Sequence, residues 1–206
     1  MSKLAEAFQN GKAFIPFVTA GDPNLSVTRE LLLALAEAGA DVIEVGIPFS
    51  DPIAEGPVIQ RADGRALAAG TTTDHIFDML ETVDCPAALA VMTYMNPVFT
   101  YGTDRFMARC AAAGVEAVIV PDVPFEERQE LLPHCERHGI TPISMIAPTS
   151  ENRIAMIAKE AEGFLYLVSS LGVTGTRSEI KTDLASIVKV VRENTDLPCA
   201  IGFGIC

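Results

Sequence analysis

Apolar runs return along this chain at a spacing of roughly 25 to 30 residues, each followed by a loop and then a helix-like stretch. That rhythm admits few folds. Parallel strands cannot be joined by a tight hairpin and need a crossover, usually a helix, so the repetition implies βα units and a parallel sheet. Strands are expected at 13–19, 42–46, 87–94, 118–120, 141–146, 164–168 and 198–201. They are apolar throughout rather than alternating, as befits strands covered on both faces. Helices are expected at 5–8, 22–38 (opened by Asp22-Pro23), 58–69, 73–81, from 103 to a stop at Gly114, 126–138, 150–161 and 183–193. Asn96-Pro97 reads as a turn.

Two parallel architectures fit, an open doubly wound sheet and a barrel. The Gly-rich dinucleotide turn is absent after the first strand, which counts against the first. Unusual polar residues gather just after strand ends, at Asp22, Glu55, Asn96, Asp122 and Thr174. Barrel enzymes build their sites on that face. The reading is therefore α/β, a (β/α)8 TIM barrel, as a single domain over 1–206. Seven strands are counted and the eighth βα unit is expected to be absent, so either the chain is a C-terminally incomplete fragment or the barrel is left open.

Composition narrows the partners. The formal net charge is −12, and no Lys/Arg-rich block interrupts it, so no nucleic acid and no anionic membrane surface is expected. No apolar run is long enough to span a bilayer, and the first residues lack the apolar core of a signal peptide. The five cysteines are scattered, with no CxxC pair. Reduced thiols, a cytoplasmic location and no metal site are the expectation. His134 and His138 have a metal-ligand spacing, but without a third ligand beside them a solvated helix face is the reading.

The chemistry is expected around residues 41–60, DVIEVGIPFSDPIAEGPVIQ. Glu44 interrupts a β-branched run, where an unpaired carboxylate is costly to bury. The loop after it carries Pro48, Pro52 and Pro57, which stiffen it, and a second acid, Glu55. The two acids form a plausible general acid/base pair; alternatively Glu44 points outward to an ion pair and Glu55 is solvated. The loop at 171–176 is small, polar and glycine-containing, suited to an anion site, to a lid, or to an ordinary surface role. Gly202-Phe203-Gly204 follows the seventh strand, where barrels commonly bind phosphate. Gly46 reads as strand-end punctuation.

IPFVTAGDP, EVGIPFSDPIAEGPVIQ, VPDVPFEE, YLVSSLGVTG and IGFGI occur in that order along nearly the whole chain. Together they resemble the successive motifs of the tryptophan synthase α subunit family. The resemblance implies a lyase that cleaves indole-3-glycerol phosphate to indole and glyceraldehyde 3-phosphate in tryptophan biosynthesis. It implies no cofactor in this chain, with pyridoxal phosphate in a β-subunit partner and an α2β2 complex. Glu44 matches the acid that protonates indole C3 and helps deprotonate the glycerol hydroxyl. Glu55 matches the carboxylate that accepts from the indole N–H, at a place where the family pattern has aspartate. Tyr166 matches a tyrosine beside the first acid, Thr174 the lid threonine that meets the second, and Gly175 and Gly204 backbone donors to phosphate. Phe17, Tyr94 and Asp122 match positions lining or bordering the indole pocket, with plain core packing the alternative for Phe17 and Tyr94. Ser170 stands where the family's lid often has arginine, and Cys206 where a serine is expected.

The resemblance also places much of the phosphate grip in the eighth unit, so this chain is expected to be weakly active or inactive. Two other functions stay open: a non-catalytic subunit that binds and activates a β subunit, and an indole-releasing lyase that works alone.

Overall fold

The structure is a computed structural model that describes residues 2–169, 174–175 and 182–202. Strands β1 (Phe17–Thr19), β2 (Val42–Gly46), β3 (Ala88–Met92), β4 (Val115–Ile119) and β5 (Thr141–Pro142) pair in chain order, all parallel. A second parallel set follows: β6 (Ser144–Ile146), β7 (Leu165–Val168) and β8 (Cys199–Gly202). β5 and β6 are the two halves of the single strand expected at 141–146. The break falls at Ile143, whose N–H still donates to Val118 O at 2.9 Å. Before it the strand pairs back to β4; after it, forward to β7.

Side chains alternate between two environments along every strand. Val42, Ala88, Ala90, Ala117, Ile119, Ile143, Phe164 and Tyr166 share one core inside the wall, with Ala200 packed on it. Ile43, Val45, Leu89, Val91 and Val118 face the helices outside, as do Leu165 and Leu167 in a separate cluster. One inner core reaching from β2 to β8 requires the wall to curve round on itself. Among the described residues β1 and β8 each pair on one side only.

The outer helices are α2 (Leu25–Glu37), α3 (Pro57–Ala68), α4 (Thr73–Leu80), α5 (Met95–Tyr101), α6 (Thr103–Ala112), α7 (Leu132–His138), α8 (Glu151–Glu160) and α9 (Leu184–Arg192), with α1 (Lys3–Glu6) ahead of them. Glu116 on β4 accepts from the backbone N–H groups of Lys3 and Leu4, and Leu4 enters the inner core beside Phe164. α1 thus plugs the end of the wall opposite the strand C-termini.

The structure departs from three of these expectations. Asn96-Pro97 is not a free turn but lies in the first turn of α5, where a proline's missing N–H has no helical partner to lose. The stretch 126–138 is not one helix: a 3-10 segment, Phe125–Glu130, precedes α7, because Pro133 can be accommodated only in the first turn of a new helix. Helix α2 is opened by Asn24, whose side chain accepts from Val27 N, rather than by Asp22. His134 and His138 lie 3.1 and 3.2 Å from Asp104 Oδ1, which Arg137 also engages. This is an ion-pair cluster on a helix face, and no group of ligating side chains is placed to hold a metal ion among the described residues. Nor is any described helix long and apolar enough to cross a membrane.

Candidate active site

Strand parity explains Glu44. Val42, Glu44 and Gly46 point inward while Ile43 and Val45 pack against helices, so the acid has no route to solvent along its own strand. Its register neighbours are Phe17 on β1 and Ala90 on β3, and Ala90 pairs with Ala117 on β4. Two alanines at inward positions leave volume where longer side chains would fill the barrel. Glu44 is 5% exposed, and burial pushes its carboxyl up to about 8. It is therefore largely protonated near neutral pH, the state a general acid needs. Tyr166 faces it from β7; burial first, then the Glu44 charge, raises the phenol.

Two inward glycines serve these aromatics. A Cβ on Gly46 would lie 2.4 Å from the Phe17 ring, and one on Gly202 would lie 2.1 Å from the Tyr166 hydroxyl. Neither glycine has a left-handed backbone. Each is required because an aromatic ring lies flat across the next strand. Gly46 is thus more than punctuation, and Gly202 serves Tyr166; Phe203 and Gly204, the expected phosphate donor, lie outside the described residues, as does Cys206.

Glu55 sits in the loop between β2 and α3, 6% exposed. Its carboxyl is raised to about 7, by burial first and then by the charges of Asp63 and Asp122, against the lowering effect of its own N–H and that of Ala54. Asp63 on α3 is itself buried and raised to about 6, by burial and by Asp22. The Tyr94 hydroxyl donates to Glu55 Oε2 and accepts from Ala54 N at 2.9 Å. Thr174 closes over the same loop: its hydroxyl accepts from Gly56 N at 2.7 Å and its N–H donates to Ala54 O at 2.8 Å. A Cβ on Gly56 would lie 1.8 Å from the Thr174 carbonyl oxygen, so only glycine permits this approach.

Both acids line one cavity of about 600 Å³ at the C-terminal ends of the strands. Phe17, Tyr166, Thr174 and Gly175 line it too, with Met92 and Pro121. Tyr94 and Asp122 do not. Tyr94 is buried behind Glu55, and the Asp122 carboxylate accepts from Met95 N at 2.9 and 3.2 Å, holding the start of α5. Thr174 reaches the backbone on either side of Glu55 rather than its carboxylate. Ser170, 171–173 and 176–180 of the expected lid lie outside the described residues. Asp63, Met92 and Pro121 went unnoticed in the sequence; only Asp63, an acid on the apolar stripe of α3, offered a signal. A smaller cavity of about 320 Å³ opens outside the wall where β4 and β6 part. Its Arg128 and Arg153 are already paired with Glu160 and Glu126.

The family model "Tryptophan synthase alpha chain" matches residues 4–206. The tryptophan synthase alpha chain of Lacticaseibacillus casei is 49% identical over 207 residues, a match that takes in 100% of this chain and 78% of that protein. The chain belongs to the tryptophan synthase alpha chain family. Tryptophan synthase subunit alpha from Campylobacter jejuni superposes with a TM-score of 0.88 at 35% identity, over 100% of this chain and 83% of that one. A chain of Mycobacterium tuberculosis tryptophan synthase gives 0.89 at 34% identity, over 99% and 81%. The curved parallel wall is accordingly the TIM barrel of this family. The cavity, with two raised acids beside two aromatics set over glycines, opens at the C-terminal ends of the strands, the face on which barrel enzymes build their sites.

Proposed function

We propose that Glu44 and Glu55 carry the lyase reaction of this tryptophan synthase alpha chain, the cleavage of indole-3-glycerol phosphate to indole and glyceraldehyde 3-phosphate in tryptophan biosynthesis. The observation that supports the roles most strongly is that both carboxyls line one cavity in unlike settings: burial alone acts on Glu44 and favours its protonated form, while the N–H groups of Glu55 and Ala54 partly offset burial at Glu55 and favour its ionised form. Unlike settings of this kind divide acid from base.

Glu44 gives its proton to indole C3, and positive charge spreads to the ring nitrogen. Glu55 accepts a hydrogen bond from that N–H and offsets the charge. The Glu44 carboxylate, now ionised, takes the proton of the hydroxyl on the adjoining side-chain carbon. As the C=O forms, the C–C bond breaks and its electron pair returns to the ring. Indole leaves with a hydrogen at C3, the aldehyde leaves with the phosphate, and Glu44 is again protonated. Phe17 and Tyr166 flank the ring's path, and Thr174 with Gly175 covers it. The reaction of an alpha chain needs only proton transfer and no cofactor; pyridoxal phosphate belongs to the β subunit.

The partner is that β subunit. The exposed hydrophobic residues Ile53, Val58 and Phe99 stand on the β2–α3 loop, α3 and α5, and Val58 also lines the cavity. A docking face there would lead product directly to the partner. As a lyase of tryptophan biosynthesis, the protein works in the cytoplasm. The 206 residues are read as one barrel domain.

Indole formation from indole-3-glycerol phosphate tests this, with and without β subunit, on the 206 residues and on a version extended by an eighth βα unit. Activity in the extended version is expected. Silence in both, with folded protein that still stimulates the β subunit, would instead establish a non-catalytic activating role. Full activity in the extended version that the β subunit leaves unchanged would mark a lyase that works alone.

A further inference from the structure

We propose that Tyr94 is a positioning residue whose hydroxyl latches the Glu55 side chain to the barrel wall. The inference rests on the reading of Glu55 as acceptor for the indole N–H, and deepens it.

The geometry leaves the tyrosine little freedom. Its ring is 3% exposed and packs on Phe49, centroids 5.5 Å apart. The residue after it is held by Asp122 through Met95 N. The hydroxyl accepts from Ala54 N, an N–H that can only donate, so its single proton is directed to Glu55 Oε2. Thr174 bonds fix the backbone at Ala54 and Gly56, the residues on either side. The Glu55 main chain is therefore clamped, and only its side chain remains to be placed. Oε2 is held by Tyr94 behind the wall, which leaves Oε1 to serve the cavity that Glu55 lines.

A hydroxyl that donates to a carboxylate favours the ionised form. Tyr94 thus opposes the groups that favour protonation, burial and the charges of Asp63 on α3 and Asp122 after β4; Glu44 lines the same cavity. The Tyr166 phenol, on β7, also lines that cavity.

The first test needs no turnover. The Glu55 carboxyl is titrated by ¹³C NMR in the 206-residue chain and in Tyr94→Phe. The latch predicts an upward move of about one unit, the usual effect of losing one donor to a buried carboxylate. An unmoved titration in folded Tyr94→Phe overturns the proposal. If Tyr94→Phe does not fold, the parent chain carries the test: the ¹³C signal of the Tyr94 ring carbon that bears the hydroxyl is expected to move as the Glu55 carboxyl titrates, and a signal that stays put through that titration overturns the latch.

The second test reads binding of indole and of 1-methylindole, which lacks the N–H. The chain has no tryptophan, so indole fluorescence reports ligand alone. The parent is expected to prefer indole about tenfold, the worth of one good hydrogen bond to a charged group. Tyr94→Phe is expected to lose that preference at pH 7 and recover it at pH 9, a rescue that a loss of packing would not show. If the parent shows no preference while the NMR titration still moves, the latch stands and the N–H acceptor role fails. If the preference persists in Tyr94→Phe at pH 7, the latch fails and the acceptor role stands.

Discussion

Replacing Glu55 with glutamine removes one limb of a pH profile and keeps the other. With Glu44 near 8 and Glu55 near 7, the competent form has the first protonated and the second ionised. Its population peaks near pH 7.5 at about 60% of the enzyme and falls about sixfold by pH 6 and again by pH 9, treating the two groups as independent. The acidic limb belongs to Glu55, whose protonation removes the acceptor for the ring N–H. The alkaline limb belongs to Glu44, whose ionisation removes the proton for C3. Glu55→Gln keeps the volume and an acceptor oxygen but no charge, so kcat/KM should drop about 100-fold, the scale for losing one electrostatic contact to a charge that develops in the transition state. What remains should be flat below pH 7 and fall only above about 8. The assay is indole release on the extended chain from pH 5.5 to 9.5, followed by the product's own fluorescence. An acidic limb that survives Glu55→Gln would refute the assignment.

Further outcomes follow from the same geometry. Glu44 is raised from 4.5 to about 8 on folding, so its contribution is neutral to stability below pH 4.5 and becomes a growing penalty as pH rises towards 8. Glu44→Gln should therefore raise Tm relative to the parent by an amount that grows from pH 5 to pH 8, with an upper limit of about 5 kcal/mol; a difference independent of pH would contradict it. Gly46→Ala puts a methyl group into the Phe17 ring and should cost about 1–3 kcal/mol in urea unfolding; no loss would mean that the ring has room to move. Gly56→Ala meets backbone rather than a flexible side chain, and should abolish the hydrogen-exchange protection of the Gly56 and Thr174 amides. Retained protection would show that the loop approaches less closely.

The barrel was legible because burial on both faces leaves a continuous apolar run, which marks a strand without any knowledge of its neighbours. The same logic could not show that Thr141–Ile146 changes partner at Ile143, since pairing is set by the strands on either side. Proline misled in both directions: Pro97 signals a turn yet sits in the first turn of a helix, and Pro133 divides what periodicity joins. Glu44 announced itself as a charge among β-branched residues. The reasons for Gly46, Gly56 and Gly202 lie on other strands and loops, so no local pattern contains them. For Tyr94 the resemblance gives a place lining or bordering the pocket, or plain core packing, without a direction; the structure buries it at the border, bonded to Glu55.

The central claim is that Glu44 exchanges a proton with indole C3. Free indole in D₂O near pH 7.5, followed by ¹H NMR, tests that step without any demand on phosphate binding. Catalysed loss of the C3 proton signal with the parent chain, and none with Glu44→Gln of equal fold and equal indole affinity, is the predicted result. Exchange as fast in Glu44→Gln as in the parent, or none in either while indole is bound, would contradict it.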